Sequence, residues 1–302
     1  MLTKKNISTS RQNITRKLHP FEKLPKTRRS RIFSMETYKI NCGKNKLYGY
    51  KSFKAAEEAS MDKNDFVHVV LSKLQDYDKP VVVKVYDATK KHLLLEKRIL
   101  DKVRDYRNTA RLICEFSCND NKNNYITKLT KEIKFCSSGT DKLYFFVYEY
   151  IAHGDISDYL QKKRDTKIIK TLILQVVYVI IELATIYKIS HGDLNSGNIL
   201  IDKTDEKIIE YKIGDETVVI ESNGIIPKII DFGRSKFYEE TILKHVWYDI
   251  IMVIELIQIY ANNDEVNQLF SKNQDPYELS LPSIKDYYFY VRDMLYPSGD
   301  DM

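Results

Sequence analysis

The sequence predicts an α+β fold in two lobes, the first rich in β-strand and the second mainly helical. Three observations carry this. Runs dense in β-branched and aromatic residues stand in the first half, at 80–86 (Pro-Val-Val-Val-Lys-Val-Tyr) and 143–151 (Leu-Tyr-Phe-Phe-Val-Tyr-Glu-Tyr-Ile). Two long aliphatic stretches, 168–187 and 249–259, lie in the second half and read as helices. Between those helices sit two aspartate-bearing segments, each beside an apolar β-prone run: His-Gly-Asp-Leu-Asn-Ser-Gly-Asn at 191–198 and Ile-Ile-Asp-Phe-Gly at 229–233. A chain of 302 residues accommodates two such lobes with little left over.

Taken in order, residues 1–34 have no sustained apolar period, contain Pro20 and Pro25, and read as a disordered arm. Residues 1–31 carry ten Lys and Arg against one acid, Glu22, so the chain's net charge of +6 belongs to this arm. Its cluster Lys26-Thr-Arg-Arg-Ser-Arg31 suits nucleic acid, an import receptor or an acidic partner, and Ser30 behind two arginines is a candidate phosphosite. A solvated tail without a specific partner is the plain alternative. Residues 35–86 should hold the first strands, with Gly43 and Gly49 near a turn and an Ala/Glu/Asp-rich insertion at 53–66 that reads as a short helix.

Lys84 lies inside the 80–86 run. A charge in the middle of a buried-looking strand needs a partner, unless the strand is an edge and the lysine points outward. The following helix, about 89–104, has an apolar face of Leu93, Leu94, Leu95, Ile99, Leu100 and Val103, and Glu96 is embedded in it. Residues 117–142 are polar and read as an inserted loop. The aliphatic density of 168–187 suits a helix buried nearly all round. Residues 206–228 read as a β-hairpin with turns at Gly214-Asp215 and Asn223-Gly224. A second apolar helix is expected to begin at Asp249, and 262–302 to close the lobe with two short helices and an acidic tip.

The aspartates and Asn198 have a chemical logic. Phosphoryl transfer needs a carboxylate to orient a hydroxyl and accept its proton, which fits Asp193. It also needs oxygen ligands for Mg²⁺, which fits Asn198 and Asp231. The two segments resemble the H-R-D-x-x-x-x-N and D-F-G signatures of the protein-kinase superfamily, over roughly residues 36–260. The resemblance implies a bilobal kinase-like fold with an N-lobe over 35–148 and a C-lobe over 149–302, using ATP and Mg²⁺. It implies that Lys84, held by Glu96, contacts the phosphates. Gly43 and Gly49 would stand in for a glycine-rich loop, an ordinary hairpin turn being the alternative. Tyr148 would be the gatekeeper, Glu149 and Ile151 would present backbone to adenine, and Asp155 would meet the ribose.

Departures from the pattern narrow the reading. Only 18 positions separate Asp231 from Asp249, no Ala-Pro-Glu follows, and Gly192 replaces the usual arginine. The activation segment is therefore curtailed. With the insert before Asp-Phe-Gly, this looks most similar to haspin-like atypical kinases, which act on Ser/Thr hydroxyls of proteins. Asn195 stands where Ser/Thr kinases carry a lysine that neutralises the transferring phosphoryl group. His-Gly-Asp also occurs in aminoglycoside and choline phosphotransferases, so a small-molecule kinase and a non-catalytic pseudokinase scaffold are the alternatives.

Composition adds bounds. The four cysteines, Cys42, Cys114, Cys118 and Cys136, form no Cys-x-x-Cys pair and read as free thiols of a reducing compartment. The N-terminus lacks a signal-peptide core, and 171–187 is interrupted by Gln175 and Glu182, which favours a buried helix over a transmembrane one. The expected location is intracellular, cytoplasmic or nuclear. Few glycines among many Tyr, Lys, Ile and Asn hint at an AT-rich genome such as that of a large DNA virus or an AT-rich parasite.

Overall fold

A computed structural model describes residues 47–53, 67–75, 77–88, 91–126, 133–136, 139–162, 165–213, 216–237, 242–261, 263–271 and 284–296. The basic arm, Gly43, the 53–66 insertion beyond Phe53, the Gly214-Asp215 turn and the acidic tip lie outside those residues.

The first part is a β-rich layer. Strands β1 (Leu47–Phe53), β2 (Val67–Leu74), β3 (Pro80–Asp87), β4 (Leu112–Asp120), β5 (Ile133–Lys134) and β6 (Asp141–Glu149) form one antiparallel sheet in the order β4-β6-β3-β2-β1-β5. Alternation along β2 buries Val70 and Leu74 on one face, as period-2 geometry requires. One apolar cluster gathers Val70, Val81, Val83, Val85, Phe145 and Val147 with Tyr125 and Phe135. The other face of β3 and β6, carrying Tyr86 and Phe146, joins a larger core shared with helix α1 (Lys91–Lys102) and the helical part.

Two expectations fail in this layer. Residues 117–142 are not simply a loop: β4 runs on to Asp120, a turn of helix α2 (Asn123–Ile126) follows, and β5 adds an edge strand. Buried Asp120 organises the stretch, accepting from Tyr125 Oη at 2.6 Å and Cys136 N at 2.6 Å. The free-thiol reading is also corrected. Cys118 and Cys136 form a disulfide with Cα atoms 5.8 Å apart, and Cys114 is disulfide-bonded as well. A separation of 18 residues hid the pairing from spacing rules, because the return of the chain beside β4 is a tertiary event.

The second part is mainly helical. Helix α3 (Ile156–Lys162) is followed by α4 (Thr166–Thr185), which Asp165 caps by accepting from Lys167 N and Ile168 N. Among the described residues α4 alone is long and apolar enough to cross a membrane, yet it packs against the other helices with Leu172, Ile173, Val176, Val177 and Ile180 buried. It is a core helix. Two of its polar residues have partners: Gln175 Nε2 donates to Ile225 O at 3.3 Å, and Glu182 accepts from Tyr106 Oη at 2.5 Å.

Short two-stranded pairs carry the functional segments. β7 (Ile189–Ser190) pairs with β12 (Lys236–Phe237), and β8 (Ile199–Lys203) with β11 (Ile225–Ile229). β9 (Ile208–Ile213) and β10 (Glu216–Glu221) form the expected hairpin, packed on α4 with the Tyr178 and Tyr211 rings 4.0 Å apart. The turn at Asn223-Gly224 is present, both residues having positive φ. Helix α5 spans Ile242–Ala261, so it starts well before Asp249. Val246 and Trp247 are already in the core, Trp247 stacking on Tyr287 of α7 (Ile284–Leu295) at 4.5 Å. Helix α6 (Asp264–Ser271) lies between them in sequence.

Candidate active site

Local rules place the charged residues before any tertiary contact does. On β3, Lys84 and Tyr86 are two apart and share a face; α1 carries Glu96 toward that face. Lys84 Nζ then lies 3.0 Å from Glu96 Oε1 and 2.7 Å from Asp231 Oδ1. Tyr86 Oη donates to the other Glu96 oxygen, and Glu96 is 1% exposed. Burial alone would lower the lysine's pKa, but the Asp231 and Glu96 carboxylates outweigh it and keep the ammonium charged. Lys84 in turn holds the Asp231 carboxyl below its usual range. The outward edge-strand alternative for Lys84 is thereby excluded.

Asp231 follows β11 in a left-handed backbone conformation (φ +64°), which Asp tolerates better than most residues. Its carboxylate caps the 3₁₀ turn Phe232–Arg234 by accepting from Gly233 N. β11 itself is anchored across the chain: Ile229 N donates to Asn108 O at 2.7 Å, and Asn108 Nδ2 to Pro227 O at 2.9 Å.

The loop 191–198 is braced from below. Buried Asp249 accepts from His191 N at 3.0 Å and Gly192 N at 3.1 Å. Burial pushes the Asp249 carboxyl up to about 6 against the pull of those two N–H groups. His191 Nε2 lies 2.9 Å from Ile230 O, and burial holds its pKa down, so the ring is neutral at pH 7. Gly192 has φ +73°, and a Cβ there would stand 3.3 Å from Arg234 O. This is a physical reason for glycine where the kinase signature has arginine. Asn198 Nδ2 donates to Asp193 O at 2.8 Å, which leaves Asn198 Oδ1 as the group able to face a cation.

A cavity of about 470 Å³ opens beside these groups, lined by apolar Val69, Val82 and Leu200 as well as polar side chains. Lys84, Tyr148, Glu149, Ile151, Asp155 and Asp231 of the expected set line it. Burial raises the Tyr148 phenol well above its ordinary pKa. Asp193 stands outside the lining, its carboxylate 3.3 Å from Arg234 Nη1. Gly49 lies in β1, paired with β2 and β5 at a register irregularity. Asp155 Oδ1 is engaged at the start of α3 by Ser157 Oγ and Asp158 N. Glu149 also has a structural task, since its side chain accepts from Arg111 N and pairs with Lys228.

Among the described residues no three His, Cys, Asp or Glu side chains converge as a metal cage. Asp231 and Asn198 offer a sparse, hard-oxygen donor set, the kind Mg²⁺ uses when substrate phosphates complete its shell. Sequence reasoning missed Tyr86 and Arg234. Tyr86 was legible from its two-residue spacing from Lys84; Arg234 had only its place next to Asp-Phe-Gly.

No family model matches the chain. It is 29% identical over 180 residues to a protein of Dictyostelium discoideum and 30% identical over 96 residues to one of Acanthamoeba polyphaga mimivirus. Both carry provisional serine/threonine-protein kinase names. A third match, 48% identical over 48 residues, is to an uncharacterized protein of Caenorhabditis elegans. These alignments cover 59%, 28% and 16% of this chain and 31%, 21% and 16% of the respective relatives. The chain thus spans less than a third of the length of the relatives it matches. The matches support a kinase-like relationship, and the mixed α/β architecture, β-rich first and helical later, is compatible with it.

Proposed function

We propose that the protein is a kinase of the atypical, haspin-like kind, passing the γ-phosphoryl group of ATP to Ser or Thr hydroxyls of a protein. The observation that carries this is the buried lysine held between two carboxylates, one from a helix and one from Asp-Phe-Gly, at the wall of a cavity sized for a nucleotide. Lys84 binds and orients the phosphates. Glu96, fixed by Tyr86, keeps the lysine extended. Tyr148, Val82 and Leu200 enclose the base and exclude water, while backbone at Glu149 and Ile151 reads its edge. Asp193 orients the acceptor hydroxyl and takes its proton. Mg²⁺, held by Asn198 and Asp231 with phosphate oxygens, would neutralise charge on the phosphates.

Two features support the atypical branch. The β9–β10 hairpin occupies the interval before Asp231, and β12 ends at Phe237 only shortly before α5 begins at Ile242. A segment this short offers no long activation loop to order by phosphorylation. The test is ³²P transfer from Mg-ATP to the protein and to histone and casein mixtures, with Asp193→Ala and Asp231→Ala beside the wild type. Label lost in both variants is expected. ATP binding without transfer to any protein would refute protein-kinase activity and favour a small-molecule kinase or a scaffold.

A further inference from the structure

Charge builds on the oxygens of a phosphoryl group as it transfers, and a cation at that point lowers the barrier. The expected lysine is absent, and both ends of the Asn195 amide that stands in its place are engaged by the loop. Its Oδ1 accepts from Gly197 N at 3.0 Å and its Nδ2 donates to Asp193 O at 3.1 Å. Lys84 pairs with Glu96 and Asp231 and, on the kinase reading, is already assigned to the phosphates.

We propose that Arg234 supplies the missing charge: its guanidinium meets the γ-phosphoryl group during transfer, in place of the lysine that Asn195 displaces. This rests on the kinase reading of the same site. In that step the acceptor oxygen bonds to the γ-phosphorus and the bond to the β,γ-bridging oxygen breaks. ADP leaves with that electron pair, and the hydroxyl proton passes to Asp193 and on to solvent.

Geometry supports the assignment. Arg234 Nη1 lies 3.3 Å from Asp193 Oδ1, so the guanidinium already stands at the carboxylate that receives the hydroxyl. The backbone is held on both sides. Arg234 closes the 3₁₀ turn capped by Asp231; Ser235 N donates to Phe232 O at 3.1 Å, and Ser235 Oγ to His191 O at 3.0 Å. Lys236 then pairs with Ser190. The side chain, by contrast, is 55% exposed. An exposed ion pair of this kind contributes about 0–1 kcal/mol, so the contact with Asp193 is itself weak enough to give way to a phosphate. Arginine also presents a planar fork of donors that matches phosphate oxygens better than an ammonium does.

The test uses the full chain with Arg234→Ala, Arg234→Lys and the double variant Arg234→Ala/Asn195→Lys. Arg234→Ala should lower kcat by about 10²–10³-fold and leave KM for ATP within about threefold, because the contact is made mainly in the transition state. Arg234→Lys should retain more, and Asn195→Lys should recover at least about tenfold in the Arg234→Ala background. A readout without turnover is the affinity for ADP with aluminium fluoride, a mimic of the transferring group. It should weaken by about 10²-fold in Arg234→Ala while the affinity for ADP alone is unchanged. Transfer within about threefold of wild type, or equal losses for ADP and ADP–fluoride, would overturn the assignment. If Arg234→Ala lowers the thermal midpoint, the Arg234→Lys variant decides. A wild type that transfers nothing would sink the kinase reading separately, and the ADP–fluoride comparison would still decide Arg234.

Discussion

Gly192 and Gly224 have nearly the same backbone, φ +73° and +77°, in different surroundings. Nothing lies within 4 Å of a Cβ built on Gly224, whereas one on Gly192 meets Arg234 O at 3.3 Å. Alanine at either site costs about 1–2 kcal/mol for the left-handed conformation. It also regains about 0.4–1 kcal/mol by restricting the unfolded chain. Gly224→Ala should therefore destabilise by roughly 0–1.6 kcal/mol. Gly192→Ala adds a contact with a carbonyl that is held by the Phe232–Ser235 turn and cannot retreat freely. Up to about 1 kcal/mol more is expected there. The assay is urea unfolding at neutral pH, read by Trp247 fluorescence. On the proposed kinase reading, Gly192→Ala alone should also slow phosphoryl transfer, because the added methyl presses on the backbone that carries Arg234. Equal losses at the two sites, or a Gly192→Ala variant as stable as wild type, would refute the reasoning.

Three further outcomes are expected. Lys84→Met strips buried Glu96 of its counter-charge and should destabilise by about 1–3 kcal/mol, with Glu96→Gln recovering at least about half in the double variant; a double-mutant cycle in urea with no coupling would contradict this. Asp249 is raised from 3.8 to about 6, so its contribution to stability is present below pH 3.8 and is lost as pH rises through 6. That range corresponds to about 3 kcal/mol at most, and Asp249→Asn should gain on wild type as pH rises from about 4 to 7; a difference independent of pH would refute it. Replacing Cys118 and Cys136 together by serine opens a loop of 18 residues and should cost about 3 kcal/mol, against no change if the bond does not form in solution.

What the sequence made legible was local. Lys84 announced itself as a charge in a β-prone run, Glu96 by its place in an apolar helix, and α4 by aliphatic density. The hairpin before Asp231 was visible in its alternation and turn residues. What escaped was set by distant partners. Asp120 looked like one more polar residue in an Asn-rich stretch; its role comes from Tyr125 and Cys136 returning beside it. The second apolar helix was expected to start at Asp249, the head of the aliphatic run, yet Val246 and Trp247 bury the preceding turn. Arg234 carried no periodicity at all.

The disulfide has a consequence beyond stability. Cys118 lies on β4 and Cys136 just beyond β5, and these are the opposite edges of the six-stranded sheet. Sheet edges are where unpaired backbone groups recruit strands from other molecules. Here one covalent bond ties the first edge to the last, so neither can peel away without the other. Material made under reducing conditions loses that tie, along with the bond at Cys114. Self-association through strand pairing should then rise with reductant before any change in helix content is seen.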